Sequence, residues 1–134
     1  MILNRKELDK MAFNILIVED EMAILNLTMA VINLIVSERE LPEGAVQIFP
    51  SATLSQAREI LKNEKIDLAI TDTELPDGIS YSDLPELLQL PAIIATSGRP
   101  DEYEKAWLNY AFFMSKPWII KEMKELISSY IKEV

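Results

Sequence analysis

The chain predicts an α/β fold, a doubly wound parallel sheet of five strands laid down as (βα)5. Three observations carry this. Short apolar runs alternate with longer segments of helical period, and a run that is apolar throughout reads as a strand buried on both faces. One such run, Ile66-Asp67-Leu68-Ala69-Ile70-Thr71, ends on the acid Asp72, with Leu75-Pro76-Asp77-Gly78 following as a turn. The 134 residues, 49% of them apolar, are enough for one domain with one core and argue against disorder.

The elements follow in order. Residues 1–13 form an extension with a weak helical pattern (Leu3, Leu8, Met11), and residues 14–134 form the domain. Ile15–Val18 is a first strand, ending at Glu19-Asp20. Met22 to about Ser37 is a helix, and Leu41-Pro42-Glu43-Gly44 is a turn. Ala45–Phe49 is the second strand, and Ser51-Ala52-Thr53 caps a helix to Asn63 with Leu54, Ala57, Ile60 and Leu61 on one face. Ile66–Thr71 is the third strand, and Tyr81–Leu90 a short helix weakened by Pro85. Ala92–Thr96 is the fourth strand, Pro100–Asn109 a helix, and Ala111–Met114 the fifth strand. Trp118–Lys132 closes the chain as an amphipathic helix with Ile119, Met123, Leu126, Ile127 and Tyr130 inward. The helix from Met22 is apolar nearly all round, so either the N-terminal extension packs over it or it is a partner surface.

Composition removes several functions. No Cys is present, which excludes disulfides and thiolate metal sites. No His is present, which excludes Ser-His and Cys-His nucleophile pairs, imidazole metal sites and a phosphohistidine on this chain. The net charge of −9 disfavours nonspecific binding to nucleic acid or to an anionic membrane, and a bound cation must be held by oxygen. No apolar run reaches bilayer length and no secretory signal opens the chain, so a cytoplasmic location is expected.

In a parallel sheet the strand C-termini share one edge, where ligands bind in open α/β folds. Glu19 and Asp20 end the first strand here, Asp72 the third, Thr96-Ser97-Gly98 the fourth and Ser115-Lys116-Pro117 the fifth. Asp72 alone reads equally as the cap of the next turn. Together, clustered carboxylates repel unless a cation joins them, and a hard divalent ion such as Mg2+ resolves this. An ammonium beside such a site suits a phosphoryl ligand, with Asp72 as in-line nucleophile and Lys116 neutralising the transferring oxygens.

The segments Ile-Leu-Ile-Val-Glu-Asp-Glu from Ile15, Asp-x-x-Leu-Pro-Asp-Gly from Asp72, Thr-Ser-Gly from Thr96 and Lys-Pro-Trp from Lys116 resemble the receiver (CheY-like, flavodoxin-like) domain of two-component response regulators. The resemblance covers about Asn14 to Val134. It implies that Asp72 is phosphoacceptor and Mg2+ ligand, Asp20 a direct ligand, the Glu74 backbone carbonyl another, and Glu19 a ligand through water. It also implies that Lys116 binds the phosphoryl group and that the Lys116–Pro117 bond is cis. The switch hydroxyl is Ser97, followed by the small Gly98, with Thr96 as the competing assignment, and the switch aromatic is Phe113. Glu74 and Arg99 flank the route of attacking water and are candidates for setting the lifetime of the phosphoryl group.

The last predicted helix reaches the end of the sequence, so a stand-alone receiver is expected, and the resemblance implies a phosphoprotein in a phosphorelay whose donor is a histidine kinase or histidine phosphotransfer protein. Docking falls on the apolar first helix. The output is a contact through the surface of the fourth helix, fifth strand and last helix, where Asp101, Glu102, Glu104, Lys105, Lys121, Lys124 and Glu125 support a downstream protein target, a homodimer or simply a solvated face. Turnover of an outside substrate is not expected, only autophosphorylation and autodephosphorylation at Asp72. A pseudo-receiver used as an interaction module is the alternative. A haloacid-dehalogenase-like phosphatase fits poorly, because the position two after the nucleophile is Glu74 rather than Asp and the nucleophile would sit on the first strand.

Overall fold

A computed structural model describes Asn4 and residues 11–131. Five strands form one parallel sheet: β1 (Phe13–Val18), β2 (Val46–Ser51), β3 (Leu68–Asp72), β6 (Ile93–Ser97) and β7 (Phe112–Ser115). Their spatial order is β2-β1-β3-β6-β7. A two-stranded hairpin, β4 (Glu74–Leu75) with β5 (Gly78–Ile79), projects just beyond β3. The helices are α1 (Met22–Glu38), α2 (Leu54–Asn63), the short α3 (Ser80–Asp83), α4 (Pro100–Trp107) and α5 (Ile120–Tyr130). The predicted parallel α/β architecture is therefore the observed one.

β1, β3 and β6 are central strands buried on both faces, which is why they read as unbroken apolar runs. Alternate residues serve two cores. Leu16, Val18, Ala69 and Ala95 pack with Leu54, Leu84 and Trp107 on one side, and Ile15, Ile17, Ile70 and Ile94 pack with Ile32, Ile35, Met123 and Ile127 on the other. Burying a Leu or Ile side chain is worth about 1.5–3 kcal/mol, so these two layers carry the fold.

Most strand and helix ends fall within one or two residues of the sequence expectation, and three differences matter here. The first strand starts at Phe13, paired with Val46, one residue before the expected domain start. The segment from Tyr81 to Leu90 is a single helical turn followed by a 3₁₀ helix at Pro85–Gln89, because Pro85 cannot continue a hydrogen-bonded ladder. The last helix begins at Ile120 and leaves Ile119 exposed, although Ile119 was expected to point inward. Leu3, Leu8 and Lys132 lie outside the described residues. On α1, Leu25, Val31, Ile32 and Ile35 are buried, while Met22, Leu27 and Leu34 keep an apolar outer face. Among the described residues no helix is long and apolar enough to cross a membrane.

The loop beyond β3 is tied down. The Asp77 carboxylate accepts from the Leu54 and Ser55 amides at 2.8 and 3.0 Å, while the Thr53 hydroxyl accepts from Gln56 N–H at 3.1 Å. The first amides of α2 are thus capped from two directions. Gly78 has φ +146°, and a Cβ there would meet Asp83 Oδ2, which accepts from the Ile79 amide at 2.7 Å.

Candidate functional site

The C-terminal ends of β1, β3, β6 and β7 open onto a cleft of about 530 Å³. Asp20, Asp72, Ser97 and Lys116 line it, as do Glu74 and Arg99 at its mouth. The register explains the convergence. Asp72 pairs with Thr96 and Ser97 with Ser115, so β3, β6 and β7 end side by side, and the Lys116 amide donates to the Ser97 carbonyl at 2.8 Å.

Lys116 Nζ lies 2.7 Å from Glu19 Oε1 and 3.1 Å from Asp72 Oδ2. All three side chains are largely withdrawn from solvent, with side-chain exposures of 12%, 5% and 11%. Glu19 is further fixed by the Glu21 amide at 3.2 Å, and Asp72 Oδ1 accepts from the Thr73 amide at 2.9 Å. Burial raises the Glu19 pKa, and repulsion from Asp72 adds to this while Lys116 opposes it. Burial likewise raises Asp72, against the stabilising charge of Lys116. For Lys116 burial acts downward, but the two carboxylates outweigh it and the ammonium is held above its ordinary value. Raised acids beside a raised base are consistent: one ammonium is shared between two carboxylates that also repel each other.

Carboxylate oxygens of Glu19, Asp20 and Asp72 lie within 4.8 Å of one another. Lys116 pairs with Glu19 and Asp72, and with Asp20 beside them three carboxylates face one ammonium, an excess of negative charge that fits a hard divalent cation with oxygen ligands.

No family model and no curated protein matches this chain. Among solved structures, it is similar to the chemotaxis response regulator CheY4 of Vibrio cholerae at 12% identity and a TM-score of 0.67, over 89% of this chain and 98% of that one. It is similar to a CheY-like response regulator receiver domain from Methanospirillum hungatei JF-1 at 27% identity and TM-score 0.66, over 90% and 94% of the two chains. It also matches the receiver domain of the sensor histidine kinase PA1611 of Pseudomonas aeruginosa PAO1, described with a magnesium ion in its active-site cleft, at 19% identity and TM-score 0.63, over 90% and 98%. The chain has the fold of CheY-like receiver domains.

On this receiver fold the expected residues converge. Asp20, Asp72, Ser97 and Lys116 share the cleft, Glu19 sits buried behind Lys116, and the Lys116–Pro117 bond is cis. Of the two hydroxyl candidates, Ser97 lines the cleft, its Oγ accepting from the Arg99 amide at 2.9 Å. Thr96 is buried one residue earlier, and its carbonyl is engaged by Thr73. Phe113 is part-buried against the core beside Ala111. Arg99 Nε reaches Glu74 Oε1 at 3.5 Å and its Nη1 reaches Glu102 at 3.4 Å, both exposed pairs.

Sequence reasoning missed two features here. Glu21, at 3.9 Å from Lys116 Nζ, is a third acid near the ammonium, and its place in the run Glu19-Asp20-Glu21 was the available signal. The buried bond between Trp107 and Thr73 was also missed. The spacing of Tyr103 and Trp107 marks both as inward-facing, but nothing in the sequence names the partner.

Proposed function

We propose that this protein is a phosphorylatable receiver that takes a phosphoryl group from a phosphohistidine donor onto Asp72 and signals through a phosphorylation-dependent protein contact. The observation that carries the reading is the Lys116 ammonium placed between Glu19 and Asp72 at a strand-end cleft, with Asp20 close enough to share a cation. The donor is a histidine kinase or histidine phosphotransfer protein, in keeping with neighbours that are receiver domains of sensor and hybrid histidine kinases.

Asp20, Asp72, the Glu74 backbone carbonyl and, through water, Glu19 would hold Mg2+. When bound, Mg2+ neutralises charge on the transferring phosphoryl oxygens. An Asp72 carboxylate oxygen attacks phosphorus in line with the donor P–N bond. The P–O bond forms as P–N breaks, and the electron pair stays on the departing imidazole nitrogen, which takes up a proton. Lys116 exchanges its contact with Asp72 for the phosphoryl oxygens and keeps its contact with Glu19, which secures its positive charge. Ser97 releases the Arg99 amide and donates its hydroxyl to a phosphoryl oxygen, shifting the loop before α4. Phe113 has no hydroxyl to offer a partner and stays in its packed position.

Intact mass after incubation with acetyl phosphate, with and without Mg2+, tests the reading. The expected result is a Mg2+-dependent gain of one phosphoryl group in the wild type and none in Asp72→Asn. No gain with acetyl phosphate or with a phosphorylated histidine donor, in folded protein, would overturn it in favour of a pseudo-receiver. The Glu74–Arg99 pair at the cleft mouth supports a second, finer role in shielding the acyl phosphate from water. Arg99→Ala is expected to shorten the phospho-form's lifetime by no more than severalfold, since the pair is exposed and screened. An unchanged lifetime removes that role.

A further inference from the structure

Thr73, directly after Asp72, is fully buried, and so is Trp107 at the end of α4. The Trp107 indole N–H donates to the Thr73 hydroxyl at 3.0 Å. That hydroxyl donates in turn to the Thr96 carbonyl at 2.9 Å. The Thr73 amide donates both to Asp72 Oδ1 and to the same Thr96 carbonyl, each at 2.9 Å. One unbroken path of hydrogen bonds therefore runs from the Asp72 carboxylate, through Thr73 and the peptide joining Thr96 to Ser97, to the indole of α4.

The surroundings leave Trp107 little freedom. The Tyr81 ring meets it edge-on at 5.5 Å and an interplanar angle of 89°, and Tyr81 also packs against Tyr103, one turn earlier on α4. A tryptophan has a single donor, and a buried donor without a partner is costly, so the indole follows its acceptor. The Thr73 hydroxyl is fixed between a donor and an acceptor and follows the Thr96 carbonyl. Any shift at the end of β6 reaches the C-terminal end of α4 by this route. The start of α4 is reached separately, through Ser97 Oγ and the Arg99 amide.

We infer that Trp107 is a positioning residue that couples the Asp72 site to helix α4 through the hydroxyl of Thr73. The inference rests on the receiver reading, in which the end of β6 moves when the site is loaded. Loading then frees the start of α4, as Ser97 releases the Arg99 amide, while the Trp107–Thr73 bond keeps the C-terminal end of the helix following the end of β6.

The test is hydrogen exchange, read by mass spectrometry on the full chain with Mg2+ and beryllofluoride as phosphoryl mimic. Amides of residues 72–74 report loading, and those of residues 101–108 report α4. In the wild type, saturating mimic is expected to change α4 exchange at least about fivefold, the lower end of ordinary allosteric coupling. Thr73→Val removes the hydroxyl and keeps the branched shape. It is expected to retain the loading signal while the α4 change falls within about twofold. Thr73→Ser restores the hydroxyl and is expected to restore the α4 response. Trp107→Phe cuts the bond from its other end and carries the test if Thr73→Val does not fold. A full α4 response in Thr73→Val or Trp107→Phe, or none in a loaded wild type, overturns the coupling alone. A wild type that shows no loading signal overturns the receiver reading, and the coupling with it.

Discussion

Lys116 serves two buried carboxylates with one ammonium, and that imbalance sets what each substitution does. Removing the ammonium leaves Glu19 and Asp72 facing each other out of water. Lys116→Ala is expected to cost about 3 kcal/mol, the low end for breaking a buried pair because the cleft admits water. Asp72→Asn acts in the opposite sense. It removes a carboxylate disfavoured by burial while Lys116 keeps Glu19 at 2.7 Å. In metal-free buffer its unfolding midpoint is expected to rise, each 1 kcal/mol showing as roughly 3–5 °C in a domain of this size. Thermal melts of the two variants check both signs, and a less stable Asp72→Asn would show that the apo site is not strained. The residues behind this argument were legible because chemistry stood at the ends of apolar runs: Asp72 after Ile70-Thr71, Lys116 after Met114-Ser115. The choice between Thr96 and Ser97 was not, since two adjacent hydroxyls differ only in which one faces the cleft.

Between elements, long-range polar contacts set geometry that local pattern does not reveal. Asp77 looks like a turn residue beside Gly78, yet its carboxylate caps α2 from 23 positions away. Hydrogen bonding from the Leu54 amide, then the Ser55 amide, lowers its pKa below the usual carboxylate value. With a depressed folded-state pKa, the contribution of ionised Asp77 is present above about pH 3.9, the unfolded value, and is lost as pH falls through the folded one. Asp77→Asn is expected to lower the unfolding midpoint at neutral pH, and the gap to wild type should close in acid below that value. A gap independent of pH would mean that the charge on the cap is immaterial. The strands and the long helices were legible from period and apolar runs, whereas the helix expected at Tyr81–Leu90 breaks because Pro85 and the α2 cap dictate the path of the chain there. Trp107 belongs to the same class: its burial follows from helical spacing, its bond to Thr73 only from the packing of α4 against the sheet edge.

At the scale of the whole molecule, folding gathers like charge at one edge of the sheet before any ligand is there. Glu19 and Asp72 are withdrawn from water and Asp20 stands beside them, so the fold is under electrostatic tension at the proposed site. A cation that binds only the assembled cluster adds stability to the native state as the logarithm of one plus its concentration over its dissociation constant. Raising Mg2+ to 100 times its dissociation constant is expected to add about 2.7 kcal/mol, read as a progressive rise of the unfolding midpoint. The chain carries a net charge of −9, so part of any rise reflects general screening, and NaCl at matched ionic strength separates the two. Asp20→Asn is the informative variant, because Asp20 is exposed and its loss leaves the Glu19–Lys116–Asp72 cluster in place. It should abolish most of the Mg2+-specific rise and leave the NaCl response untouched. If Asp20→Asn is stabilised by Mg2+ as fully as the wild type, the cation is held elsewhere and the strand-end carboxylates are not its site.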